Sequence, residues 1–134
     1  MIKLENIDGS IGSAKRGLIL NHVDCMDDAP IMVYDKWDIE GITPLSGEGM
    51  KGLAHMISLN NDLYVANCYI THNDVYINKG QLNHVAESCL AFAAVCKFDM
   101  HVPYDDWFKV GHIFLSLNKE YDVKINIYNG IEEI

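Results

Sequence analysis

The sequence contains a single arginine, Arg16, and its ten basic residues face nineteen acidic ones, so the formal net charge is −9. Proteins that bind a nucleic-acid backbone cluster lysine and arginine on one face, so this composition disfavours general nucleic-acid binding. No apolar run approaches the roughly 20 residues that span a bilayer, and the first ten residues do not resemble a signal peptide. We therefore expect a cytoplasmic protein that has no membrane partner.

The sequence also lacks the CxxC spacing of zinc and redox motifs. Its cysteines are Cys25, Cys68, Cys89 and Cys96, and at least three of them fall in apolar segments typical of strand or helix interiors. His84 and Cys89 are five residues apart and would point to different faces of a helix, and Cys89 and Cys96 would lie about 10 Å apart along its axis. We therefore predict reduced, buried thiols, no metal site and no cofactor.

The pattern of apolar residues predicts one α/β domain over residues 1–134. Residues 1–51 are punctuated by Gly, Pro and Asp and predict an irregular, strand-rich N-terminal part; residues 52–134 are more regular. Over residues 52–128 the predicted order is β-β-α-β-α-β, beginning with a hairpin whose turn is "NND". We expect a mixed β-sheet with packed helices.

The first predicted helix is the segment "NHVAESCLAFAAVCKF", residues 83–98. Val85, Cys89, Phe92 and Cys96 recur at intervals of four, three and four, which places them on one stripe of a helix. Most of the remaining positions are also apolar, so we expect this helix to be covered on more than one side. The second helix is predicted within "YDDWFKVGHIFLSL", after Pro103.

Residues 52–128 resemble the cytidine-deaminase family in the order of their elements. The segment "AESCLAFAAV" is similar to the first helix of such enzymes, with Glu87 at the place of the carboxylate that transfers protons, and "PYDDW" is similar to the start of their second helix. The zinc ligands of the family are not matched, because Val85, Tyr104 and Trp107 stand at those positions. The resemblance therefore implies the fold without the zinc chemistry.

The same element order is loosely similar to acyl-CoA N-acetyltransferases. Those enzymes bind a pyrophosphate through backbone N–H groups where a glycine-rich loop enters a helix. The corresponding segment here, "INKGQLNHVA", contains a single glycine. An enzyme of deaminase-like or acetyltransferase-like fold with a degenerate site is therefore an alternative prediction, and whether the chain is an enzyme stays open.

The candidate site is predicted where the loop of residues 71–81 meets the start of the first helix. Its candidate catalytic residues are Glu87, His84 and His72, the last because nearby Asp74 could increase the basicity of its imidazole. The fold could also bring a cysteine close to His72. The candidate ligand-binding residues are Asn78, Gln81, Glu87, Tyr104 and Trp107. The other histidines, His22, His55, His101 and His112, stand alone in the sequence, and we predict structural roles for them.

The excess of acid suggests how the protein could act. An acidic face can bind a basic partner, since complementary charge increases the rate and specificity of association. We predict a small binding protein of the inhibitor, immunity or adaptor type, possible in a defence or counter-defence system. Its partner would be a protein with a basic surface or a small molecule, and a homo-oligomer is possible. A ligand pocket on a catalytic fold that has lost its catalysis is a third interpretation.

Overall fold

The computed structural model describes residues 2–25, 31–32, 51–72, 75–103 and 121–130. Within these residues the chain forms eight strands, one α-helix and a short 3₁₀ turn at Ile11–Ser13. The strands are β1 (Lys3–Ser10), β2 (Gly17–Asp24), β3 (Ile31–Met32), β4 (Ala54–Ser58), β5 (Leu63–His72), β6 (Val75–Tyr76), β7 (Met100–Pro103) and β8 (Lys124–Gly130), and the helix is α1 (Lys79–Cys96).

The strands form one mixed sheet whose main order is β1-β8-β7-β2-β5-β4. Neighbouring strands from β1 to β5 in this order are parallel, and β4 is antiparallel to β5. The short strands β3 and β6 fold back onto β2 and β5. This architecture confirms the predicted mixed α/β sheet with packed helix.

The centre of the sheet is β2, which comes from the N-terminal part of the chain. Seven of its eight residues are buried, including Leu18, Ile19 and Leu20. A parallel strand covered on both faces is expected to have such a continuous apolar run, and "GLIL" matches that expectation. The N-terminal segment is therefore a central component of the sheet.

The predicted hairpin is formed by β4 and β5, which pair from Ala54↔Cys68 to Ser58↔Tyr64. At its turn, the side-chain oxygen of Asn60 accepts a hydrogen bond of 2.8 Å from the backbone N–H of Asp62. An asparagine that bonds the backbone two residues later stabilises a tight turn. The turn residues thus fix the register that places the apolar residues of β5 in the core.

Helix α1 is defined by clear signals at both ends. The Asn78 side chain accepts a hydrogen bond from the N–H of Gln81 and caps the N-terminus; Lys97, with φ 56°, ends the helix in the left-handed conformation. The fully buried residues lie on one face of the helix, and the expected cover on a further side stays a prediction. The residues of that face are Leu82, Val85, Ala86, Cys89, Leu90 and Ala93.

Helix α1 packs on one face of the sheet and contacts a continuous apolar core. The opposite face carries a smaller cluster of Ile19, Val65 and Tyr128. The second predicted helix, which contains Trp107, lies outside the described residues. No helix within the part of the chain that the structure describes is long and apolar enough to cross a membrane.

Candidate functional site

The strand order defines the place where a ligand would enter this sheet. From β2 the chain continues to β4 and β5 on one side, whereas β7 and β8 lie on the other, so the order reverses between β2 and β7. In open α/β sheets, ligands bind beyond the carboxyl ends of the strands at such a reversal. At this edge the structure describes Asp24, which ends β2, Cys25, which follows it, and Val102 and Pro103, which end β7.

A buried polar cluster joins the carboxyl ends of β2 and β5. The carbonyl oxygen of Thr71 accepts hydrogen bonds from the backbone N–H of Cys25, at 2.6 Å, and from its Sγ, at 2.8 Å. The Thr71 hydroxyl contacts Nε2 of His22. All three residues are buried. These contacts hold the two strands together where the register shifts by one residue between Val23 and Asp24.

Asp24 is the residue at this edge with an unsatisfied hydrogen-bond acceptor among the described residues. One of its carboxylate oxygens, Oδ1, is buried and has no hydrogen-bond partner among the described residues. A buried acceptor without a donor costs about 1–3 kcal/mol, and more for a charged group. Ligand hydroxyl or amino groups are natural donors for such an atom. Asp24 is therefore the strongest candidate contact at the carboxyl edge.

The two short strands flank this edge. Because β5 pairs with β2 as far as Asp24, strand β3, which pairs with Val23 and Asp24, must lie on the β7 side of β2. Similarly, β6 pairs with Thr71 and His72 on the side of β5 where β4 lies. The chain thus turns back on both sides of the β2–β5 pair.

Two predicted ligand-binding residues lie at the start of α1. Asn78 caps the helix, and Gln81 packs against Gly52, where an added Cβ would lie 2.9 Å from the Gln81 Cβ. Gly52 has φ +77° and donates its N–H to the carbonyl of Tyr69. Asn78 and Gln81 therefore have structural contacts, and their binding roles stay predictions.

The candidate catalytic residues of α1 lie on its exposed face. His84 and Glu87 are three residues apart and exposed, and the carbonyl of His84 accepts a hydrogen bond from Ser88 Oγ. His72 ends β5 directly after Thr71, but its side chain, like Tyr104 and Trp107, lies outside what the structure describes. The proposed roles of these residues stay predictions.

Asp24, Thr71 and His22 are not among the site residues predicted from the sequence. A usable signal was the position of Asp24 immediately after the buried run of β2, where a parallel strand ends. The pairing of His22 with Thr71 joins residues 49 apart in sequence and depends on the parallel register.

Two of the thiols lie against each other in the apolar core. Cys68 and Cys89 are fully buried with their Sγ atoms 3.9 Å apart, and the hydrogen bond to Cys89 together with burial raises the pKa of the Cys68 thiol. Cys96 is partly exposed. Within the described ranges, no group of three His, Cys, Asp or Glu side chains is placed to hold a metal ion.

A cavity of about 400 Å³ lies at the opposite, amino edge of the sheet. It is lined by Ala94, Lys97, Phe98, Asp99, Asp122 and Lys124. Lys124 is already paired with Glu5 at 2.6 Å, which raises the pKa of its ammonium. Two lysines and two aspartates largely balance each other's charge, so this cavity makes a weaker candidate than the carboxyl edge.

Comparison with solved structures identifies a shared architecture. The chain is similar to a macrodomain protein from Streptomyces coelicolor, with a TM-score of 0.64 and 13% identity, over 96% of this chain and 99% of that one. It is also similar to a protein from Bacteroides thetaiotaomicron, with a TM-score of 0.62 and 14% identity, over 94% and 99% of the two chains. No protein-family model and no curated protein matches the sequence.

These similarities correct three predictions. The resemblance to cytidine deaminases is wrong, because the chain matches a macrodomain protein nearly end to end. The acetyltransferase-like alternative is not matched either. The prediction of an inhibitor, immunity or adaptor protein conflicts with the same fold and is also wrong. The order of strands and helices in residues 52–128 does not identify the fold, because the central strand β2 precedes that segment.

Proposed function

We propose that this protein binds ADP-ribose, or a closely related nucleotide derivative, at the carboxyl edge of β2 and β7. The observation that supports this proposal is the similarity to a macrodomain protein over nearly the full length of both chains. Macrodomain proteins typically bind ADP-ribose or act as enzymes. At 13% identity this similarity shows the shared fold, and the support for a ligand at this edge comes from its own residues.

Asp24 provides the local chemistry for such a ligand. Its buried Oδ1 needs a donor, and the hydroxyl groups of a ribose are neutral donors that can enter a partly buried site. A phosphate oxygen would instead be repelled by this carboxylate. We therefore assign Asp24 to a ribose hydroxyl or a base amino group, and place the diphosphate away from it.

The overall charge is consistent with recognition through the sugar. A chain of net charge −9 repels an anionic ligand at long range, and salt screens that repulsion over about 8–10 Å. Binding should therefore persist, or strengthen slightly, as salt increases. General nucleic-acid binding, which weakens steeply with salt, is not part of the proposal. The proposal also keeps the predicted cytoplasmic location.

Calorimetric titration of the full chain with ADP-ribose tests the proposal. We expect one ligand per chain, and a loss of affinity of at least about tenfold in Asp24→Asn, which keeps the shape but replaces an acceptor with a donor. Asp62→Asn, in the exposed turn between β4 and β5, removes the same charge and should bind like the wild type.

Two outcomes would contradict the proposal. Absence of heat and of any thermal shift with the wild type at millimolar ADP-ribose would exclude binding in a useful range, since a ligand of the native state stabilises it. Unchanged affinity in Asp24→Asn would move the site elsewhere in the molecule. AMP, which lacks the diphosphate and the second ribose, should bind more weakly than ADP-ribose.

A further inference from the structure

Strand β1 is an edge strand with little burial of its own. It ends the described strand order, and six of its eight residues are exposed. The exposed positions occur on both faces, with Lys3 and Glu5 on one side and Leu4 and Asn6 on the other. The contacts of β1 are therefore dominated by its parallel pairing with β8.

Such an edge offers hydrogen-bonding groups to another strand. Natural edge strands are commonly protected by charged side chains, which make pairing with a second copy unfavourable when the charges are alike. Here the two charged residues nearest Leu4 have opposite signs, and Leu4 itself is 40% exposed. The pattern Lys3-Leu4-Glu5 is thus able to complement itself.

The geometry of antiparallel pairing selects one register. Two identical edge strands can pair about a two-fold axis perpendicular to the sheet, and residues opposite each other then share a face. An axis through Leu4 sets Leu4 against Leu4 and Lys3 against Glu5, twice by symmetry. An axis through Glu5 would oppose two carboxylates, and one through Asn6 would set Leu4 against Asp8.

We propose that β1 pairs with β1 of a second copy, antiparallel and centred on Leu4, to form a symmetric dimer with a continuous sheet. In this dimer Glu5 lies between Lys3 of the other copy and Lys124 of its own, with which it is already paired at 2.6 Å. Opposite-charge pairs directly across two strands stabilise their register. The proposal is independent of the ligand site at the carboxyl edge.

Sedimentation of the full chain over a range of concentrations, combined with charge variants, tests this dimer. Lys3→Glu opposes two glutamates and Glu5→Lys opposes two lysines, so each variant alone should dimerise at least about tenfold more weakly than the wild type. In an equimolar mixture, the introduced glutamate of one variant faces the introduced lysine of the other, and the dimer should be recovered. Lys15→Glu, at an exposed position outside β1, is the control for net charge.

Cross-linking tests the register. In Leu4→Cys the two introduced residues face each other across the axis, at a distance of about 5 Å that a disulfide can span. Oxidation with diamide should then yield a covalent dimer. In Asn6→Cys, on the same face, the introduced residues would be about 13 Å apart and should not cross-link. The native cysteines are identical in both variants and provide the background.

Three results would contradict the dimer or its register. A wild type that sediments as a monomer at every concentration, or a mixture of the two charge variants that stays monomeric while the wild type dimerises, contradicts the proposal. Equal cross-linking of Leu4→Cys and Asn6→Cys contradicts the register. Circular dichroism of each variant verifies that the loss of dimer does not come from unfolding.

Discussion

The hydroxyl of Tyr128 lies 2.8 Å from Nδ1 of His101, and the other ring nitrogen lies 2.7 Å from the carbonyl oxygen of Arg16. A carbonyl can only accept, so Nε2 carries the proton and Nδ1 accepts from the tyrosine hydroxyl. Both ring nitrogens are therefore satisfied in the neutral imidazole. Burial, the largest influence, lowers the pKa of His101, and burial also raises the pKa of Tyr128.

This arrangement predicts acid-sensitive stability. Because the folded pKa of His101 lies below the unfolded value near 6.5, the unfolded chain binds more protons in that interval, and stability falls as the pH decreases through it. Urea denaturation of the wild type and His101→Gln should show a difference in unfolding free energy that is largest at pH 7 and shrinks toward pH 5. His84→Gln, on the exposed face of α1, is the control and should parallel the wild type. A difference that grows on acidification would contradict the assignment.

Substitution of Gly17 should destabilise the fold more than substitution of Gly9. Its φ is +120°, and a Cβ there would lie 2.5 Å from the carbonyl oxygen of Asp99 and 2.8 Å from Nε2 of His101. Gly17→Ala should therefore add a steric clash to backbone strain of about 1–3 kcal/mol. Gly9→Ala provides the comparison, because Gly9 has φ +138° and nothing within 4 Å of the added Cβ. Equal destabilisation of the two variants, measured by urea denaturation, would show that the space around Gly17 adjusts freely.

Particular residues show how far the sequence could predict this fold. The hairpin signal at Asn60–Asp62 depends on local chemistry, and it correctly identified the hairpin of β4 and β5. The strand order could not be read in this way, because it depends on pairings such as Ile19↔His101, between residues far apart in sequence. The resemblance to deaminases is wrong because proteins with different strand orders can share the same local sequence patterns.

The candidate site was harder to predict for a related reason. His84 and Glu87 are predicted site residues because histidine and glutamate carry recognisable chemistry, yet both are exposed on α1. Asp24 acquires its importance from burial and from the absence of a described partner for Oδ1, neither of which is encoded in a short motif. The position of Asp24 directly after the buried run of β2 is the signal that the sequence contains, and only the parallel strand order shows that this position lies at a ligand-binding edge.

The cysteines predict a selective reactivity. Cys25, Cys68 and Cys89 are buried, whereas Cys96 is partly exposed near the end of α1. The thiolate is the reactive form, and burial together with a raised pKa makes Cys68 a poor nucleophile. A disulfide reagent at pH 8 should modify about one thiol per native chain quickly, and Cys96→Ala should abolish that phase. Rapid native modification of Cys68 or Cys89, located by peptide mapping, would contradict the packing described.

The buried pair Asn21 and Asn67 predicts energetic coupling between the two central strands. Nδ2 of Asn21 donates to Oδ1 of Asn67 at 2.8 Å, and both residues are almost fully buried. Replacing one asparagine with leucine removes this bond and leaves a buried amide facing an apolar side chain, at a cost of about 1–3 kcal/mol. In the double variant the mutual bond is lost only once, so its destabilisation should be about 1 kcal/mol smaller than the sum of the single losses. Urea denaturation of all four proteins measures this coupling. Strictly additive losses would mean that the bond does not link β2 to β5 energetically, and that each amide is held by its other contacts.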